Sequence, residues 1–148
     1  MYEYNLKRID GLPVLIPVKK FDDITLSTPK DIYDFFIREY SLDDLIEEYI
    51  YLLCFNIRYE AIGVFEISHG GMDFAHCDMK SVFVRALLCA SSAFVMIHNH
   101  PTGNPAPSDE DKAIFERIKS CGKLVSIEVP DSIIIGKNMY YSFAENLA

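Results

Sequence analysis

Phe94-Val95-Met96-Ile97-His98-Asn99-His100-Pro101-Thr102-Gly103-Asn104-Pro105-Ala106-Pro107-Ser108-Asp109-Glu110-Asp111 is the stretch around which the rest of the chain is organised. Phe94–Ile97 is an apolar, strand-like run, and in an extended chain residues two apart point to the same face. His98 and His100 therefore aim two imidazoles at one point. Pro101, Gly103, Pro105 and Pro107 forbid regular structure over the residues that follow. Ser108 then makes a good helix N-cap, with Asp111 three residues on, in the first turn. The loop can fold the chain back and bring a carboxylate beside the two imidazoles. Two histidine nitrogens and one aspartate oxygen suit zinc, and three protein ligands leave a fourth position open, the arrangement of a catalytic zinc site. A metal there would lower the pKa of its bound water and polarise a carbonyl. Only two other histidines occur, His69 and His76, and they lie in a separate polar region.

The two flanks read as alternating helices and strands. Residues 1–27 hold short apolar runs with polar breaks, and Leu12–Val18, with its two prolines, suggests an edge or isolated strand. This N-terminal extension could cover a sheet edge or swap between subunits, which hints at a homodimer. Thr28-Pro29 looks like an N-cap with proline at the first helical position, opening a helix to about Tyr40 that buries Ile32, Phe35 and Phe36. Ser41–Glu48 reads as a short acidic turn or helix, Tyr49–Phe55 as a buried strand, and Ala61–Ser68 as a second strand ending in a turn at His69-Gly70-Gly71. Met79–Ala90 has apolar residues at 82, 83, 86, 87 and 90, a helical period. A further helix is expected over Ser108–Cys121, with Ile114, Phe115 and Ile118 inward and Gly122 at its left-handed end. Leu124–Val129 and Ser132–Ile135 are then strands joined near Pro130-Asp131, and a hairpin turn at Gly136-Lys137-Asn138 leads to Met139–Phe143. That order predicts an α/β or α+β domain with a mixed sheet flanked by helices.

Composition narrows the class. A chain of 148 residues, half of them hydrophobic, with nine tyrosines and ten phenylalanines, can bury one real core. No apolar run approaches a membrane span, and the first eight residues lack an apolar signal core, so the expected location is cytoplasmic. Cys54, Cys77, Cys89 and Cys121 show no Cys-x-x-Cys spacing; Cys54, Cys89 and Cys121 read as reduced, buried thiols. The net charge of −8 and basic residues that occur only as the pairs Lys7-Arg8 and Lys19-Lys20 leave a weak expectation of direct nucleic-acid binding.

His98-x-His100-Pro101 followed by Ser108-x-x-Asp111 resembles the JAMM metallopeptidase signature of the JAB/MPN domain, including the ten-residue gap of residues 101–110. More narrowly, His98-Asn99-His100-Pro101-Thr102-Gly103 with Pro107-Ser108 and Asp111 resembles the RadC branch, whose run is usually His-Asn-His-Pro-Ser-Gly. The resemblance covers roughly residues 30–145, and the domain is taken as residues 28–148; the helix-hairpin-helix module of full-length RadC proteins has no counterpart in these residues. It implies a cytidine-deaminase-like JAB/MPN fold, one zinc per chain held by His98, His100 and Asp111, and a glutamate upstream of the histidines as general base. Counting back from His98 without gaps puts Glu48 there, ahead of Glu47, Glu60 and Glu66. Such a carboxylate can take a proton from water and return it to the leaving amine. Ser108 matches the serine that donates a hydrogen bond to the oxyanion, although its bland role is to cap the helix. Departures exist: Met79-Lys80-Ser81 stands where RadC sequences often read Pro-Arg-Glu, and Asp131-Ser132 where they commonly have Asp-His.

The leading expectation is thus a zinc-dependent metallohydrolase acting on a peptide or isopeptide bond of a peptide or protein substrate. The alternative is a non-catalytic, zinc-containing JAB-type interaction module in DNA repair or a mobile-element context. The letters His-Asn-His also name a nuclease class, but that class spreads them over several tens of residues, whereas here they are contiguous. A cytidine deaminase would need a Cys-x-x-Cys ligand pair, which this sequence lacks. His76-Cys77-Asp78 is a second cluster, read as lining the substrate approach rather than holding metal.

Overall fold

A computed structural model describes residues 1–71 and 77–147. The elements run β1 (Tyr2–Ile9), β2 (Leu12–Lys20), α1 (Pro29–Tyr40), β3 (Glu48–Phe55), β4 (Ala61–Gly71), α2 (Met79–Leu88), β5 (Ala93–Asn99), α3 (Asp109–Leu124), β6 (Glu128–Gly136), β7 (Met139–Ser142) and α4 (Phe143–Asn146). The strands form one seven-stranded mixed sheet in the order β2-β1-β4-β3-β5-β6-β7. β5 lies between β3, which it meets antiparallel, and β6, which it meets parallel.

The central strands are apolar along their whole length because both sheet faces are covered. Ile50, Leu52 and Cys54 of β3 join Phe94 and Met96 of β5 against Val82 and Ala86 of α2 and Ile114, Phe115 and Ile118 of α3. The alternate residues Tyr51, Leu53 and Phe55 join Val95, Ile97, Ile133 and Ile135 against Ile32, Phe35 and Phe36 of α1. Each fully buried side chain of this size contributes about 1.5–3 kcal/mol, so the two layers dominate stability. His98 continues the alternation of Phe94 and Met96, which turns it toward the face carrying α3.

Of the roles open to the extension, the structure shows the covering of a sheet edge: β1 and β2 form a hairpin whose β1 adds to β4 in parallel, with Pro13 and Pro17 on the outermost strand. Three other expectations change. β4 runs through His69 to Gly71, with Gly70 at φ +84°, where a turn was expected. Helix α3 does not stop at Gly122. A Cβ there would meet the Ile127 carbonyl oxygen at 2.5 Å, so glycine serves close packing, and Ser126 takes the left-handed conformation instead. β6 passes straight through Pro130, because the β5–β6 register is irregular there and β7 pairs only from Ile133 onward. No ladder bond is lost to the missing N–H. Ser41–Glu47 forms turns and bends rather than helix. Cys54 and Cys77 are buried, Cys89 and Cys121 half-buried, and all four thiols are free. Among the described residues no helix is long and apolar enough to cross a membrane.

Candidate metal centre

The ends of β3 and β5 and the start of α3 meet at one point. His98, fully buried, is the last-but-one residue of β5. His100 follows the strand, and its N–H donates to the Ile135 carbonyl at 2.9 Å, which holds it in line with β6. The His98 and His100 Nε2 atoms are 3.1 Å apart. Asp111 is buried, with Oδ1 3.2 Å from His98 Nε2 and Oδ2 3.4 Å from His100 Nε2. Glu48, the first residue of β3, is also buried, its Oε1 4.0 Å from His98 Nε2. Ligand atoms of Glu48, His98 and His100 all lie within 4.8 Å of one another.

This arrangement fits a cation. His100 Nδ1 lies 2.9 Å from the Asn104 carbonyl oxygen, which can only accept. Nδ1 therefore carries the hydrogen, and in the neutral ring Nε2 presents a lone pair to the cluster. Asp111 Oδ1 is buried and receives no well-aligned hydrogen bond. Two imidazole nitrogens and a carboxylate thus converge on one point. Zinc takes this donor set.

The charges agree. Burial pushes the His98 pKa down, which favours the neutral ring a metal requires. Burial opposes ionisation of Asp111, but its close contacts with His100 and His98 and the bond from the Ser108 N–H hold its carboxyl well below the usual range. His100 is raised despite burial, through Asp111 and the Asn104 carbonyl. A cation bound at His100 Nε2 would exclude a proton from that atom.

Helix α3 positions its aspartate through a capping box. The Asp111 N–H donates to Ser108 Oγ at 3.1 Å, and the Ser108 N–H donates to Asp111 Oδ2 at 2.7 Å. The Ser108 hydroxyl also donates to Oδ2 at 2.8 Å, so in this structure its proton serves Asp111. The preceding loop is held against β6: the Lys137 N–H donates to the Gly103 carbonyl at 2.8 Å. A Cβ on Gly136 would stand 2.4 Å from that same oxygen.

His98, His100, Asp111, Glu48 and Ser108 are therefore brought together. His76 lies outside the described residues, and the nearby Cys77 is buried under the face carrying α2. Three participants were missed in the sequence: Asn104, Gly136 and Asn99. Asn99 is almost wholly buried, accepting from the Tyr49 N–H at 2.7 Å and donating to the Glu47 carbonyl at 3.0 Å. A polar residue at the end of an apolar strand was the available signal, since buried amides need partners.

Residues 26–148 match the family described as RadC-like JAB domain. The chain belongs to the RadC-like JAB domain family. Its mixed sheet flanked by helices is consistent with the JAB/MPN fold. Among curated relatives, a UPF0758 protein of Alkaliphilus metalliredigens is 39% identical over 120 residues, 81% of this chain. One from Pelobacter propionicus is 36% identical over 119 residues, 80% of this chain. The chain spans about half the length of these relatives, 51% in both cases.

Proposed function

We propose that this RadC-like domain is a zinc-dependent metallohydrolase of the JAMM type that cleaves a peptide or isopeptide amide bond. The observation that carries the reading is the convergence of His98, His100 and Asp111 with a second buried carboxylate, Glu48, beside them. A structural zinc site would favour four protein ligands and no spare acid. His98, His100 and Asp111 would hold the ion; when bound, it would acidify a water and polarise the substrate carbonyl. Glu48 takes the proton of the attacking water and delivers it to the leaving amine, a role worth about 10²–10⁴-fold in rate. Its burial keeps competing water away from that transfer. Ser108 orients Asp111 in the resting state; to donate to the oxyanion its hydroxyl must turn away from Oδ2.

The test is metal content by elemental analysis on protein purified without chelator or affinity metal, for wild type and His98→Ala/His100→Ala. About one zinc per chain in the wild type, lost in the double variant, is the result expected from four-coordinate zinc with three protein ligands. Glu48→Gln keeps the zinc and loses hydrolysis of a peptide or isopeptide-linked substrate. Full activity of that variant removes Glu48 as the base. Absence of metal in the wild type, even after zinc is supplied, sinks the hydrolase and leaves an interaction module.

A further inference from the structure

Regular pairing of β3 with β5 stops at Ile50 and His98. One step further, Tyr49 and Asn99 would face each other. There the Asn99 side chain takes over from the backbone. Its Oδ1 accepts the Tyr49 N–H at 2.7 Å, and its Nδ2 donates to the Glu47 carbonyl at 3.0 Å. A carboxamide offers one acceptor and two donors in a plane, so it can stand in for a peptide unit. The two groups it binds belong to the residues on either side of Glu48. On the other edge of β3 the ladder to β4 is irregular between Glu48 and Tyr49. Irregularities of this kind re-aim a side chain and loosen the pairing that would otherwise fix it. The bulged side turns Glu48, and the Asn99 side holds it.

We propose that Asn99 is a positioning residue. It clamps the main chain on both sides of Glu48 and so fixes that carboxylate beside the His98–His100 pair. The proposal rests on the reading of Glu48 given above. The residue type is demanding. Alanine would leave the Tyr49 N–H and the Glu47 carbonyl, both only partly screened from water, without this partner, and aspartate would set a carboxylate against the Glu47 carbonyl. Slack of about 1 Å in a reacting group can cost about a hundredfold in rate, so a clamp remote from substrate still matters.

The test needs no natural substrate. Cobalt(II) replaces zinc and gives a visible absorption band, and azide serves as an anionic probe of the metal's open position. A fixed Glu48 carboxylate repels an anion, so Glu48→Gln should tighten azide binding by about tenfold. Asn99→Ala should tighten it in the same direction, and in the Glu48→Gln background it should add nothing. An unchanged azide affinity in Asn99→Ala, or the same change in both backgrounds, overturns the proposal while leaving Glu48 in place. An unchanged affinity in Glu48→Gln instead removes the reading of Glu48 on which it rests. A second readout is independent of metal. Exchange of the Tyr49 amide hydrogen should quicken by about tenfold or more in Asn99→Ala, with that of Leu52 unchanged. Continued protection of Tyr49 would show that no clamp exists. Asn99→Leu, which keeps the volume, carries the same comparisons where alanine fails to fold.

Discussion

Helix α1 begins at Thr28 and helix α3 at Ser108, and each has an aspartate three residues on that returns to its cap. In α1 the Thr28 N–H reaches Asp31 Oδ2 at 2.9 Å, and the Asp31 N–H reaches Thr28 Oγ1 at 3.1 Å. In α3 the corresponding distances are 2.7 and 3.1 Å. Local chemistry is therefore the same. Asp31 is half-buried at the surface and takes its further bond from the Ser27 N–H. Asp111 is buried and turns its other oxygen to His98. A capping box fixes where a carboxylate points; what stands opposite decides whether that becomes a site.

The widest separation between the two caps is expected in their response to zinc. A ligand at about 100 times its dissociation constant stabilises the folded state by about 2.7 kcal/mol. For a chain of this size that is about 5–11 °C in Tm. Asp31→Ala should keep the whole zinc-dependent shift between chelator and zinc, measured by thermal denaturation, and Asp111→Ala should lose it. If the shift survives in Asp111→Ala, the third ligand is Glu48, whose oxygen also lies within reach of the two histidines.

Ser108→Ala sharpens the contrast next. Loss of the cap should cost about 1 kcal/mol. Loss of a hydrogen bond to a ligating carboxylate should also weaken metal binding by about 10–100-fold, read by competition with a coloured chelator. Unchanged metal affinity would mean that the serine serves the helix alone.

Gly136→Ala acts on the approach to α3 rather than on the cap. The added methyl group meets main-chain atoms at Gly103 and Pro105, which cannot swing aside as a flexible side chain can. Urea denaturation should show a loss of about 1–3 kcal/mol. His100 and Asn104 belong to the same loop, so metal affinity should fall with it; a destabilised protein with full affinity would separate the loop from the centre.

Much of this was legible in the sequence. His-x-His on an apolar strand, prolines and a capping serine put two imidazoles and a carboxylate within reach, and the family resemblance, counted back from His98 without gaps, pointed to Glu48 at the neighbouring strand end. What escaped depends on tertiary contact. Gly122 looks like a helix stop by propensity, yet it lies within α3 because the Ile127 carbonyl presses on it. Pro130 looks like a strand break, yet the β5–β6 register is irregular there and β7 begins its pairing later. Asn99 carries no local sign of its partners, which are 50 and 52 residues away along the chain.

The smallest effect belongs to Thr28→Ala. It should cost about 1 kcal/mol, the same as the capping part of Ser108→Ala, and leave metal affinity where it was. The reason is positional. α1 packs through Ile32, Phe35 and Phe36 on the sheet face opposite α3, and its cap shares no described bond with the metal centre. Changes that share no partner add within about 0.5 kcal/mol, so Thr28→Ala/Ser108→Ala in chelator should lose about 2 kcal/mol in all. In zinc the same double variant should fall further, by the amount that Ser108→Ala alone loses in metal binding. A zinc-dependent penalty from Thr28→Ala would mean that the two faces are coupled through β3 and β5, and the two caps could no longer be treated as independent.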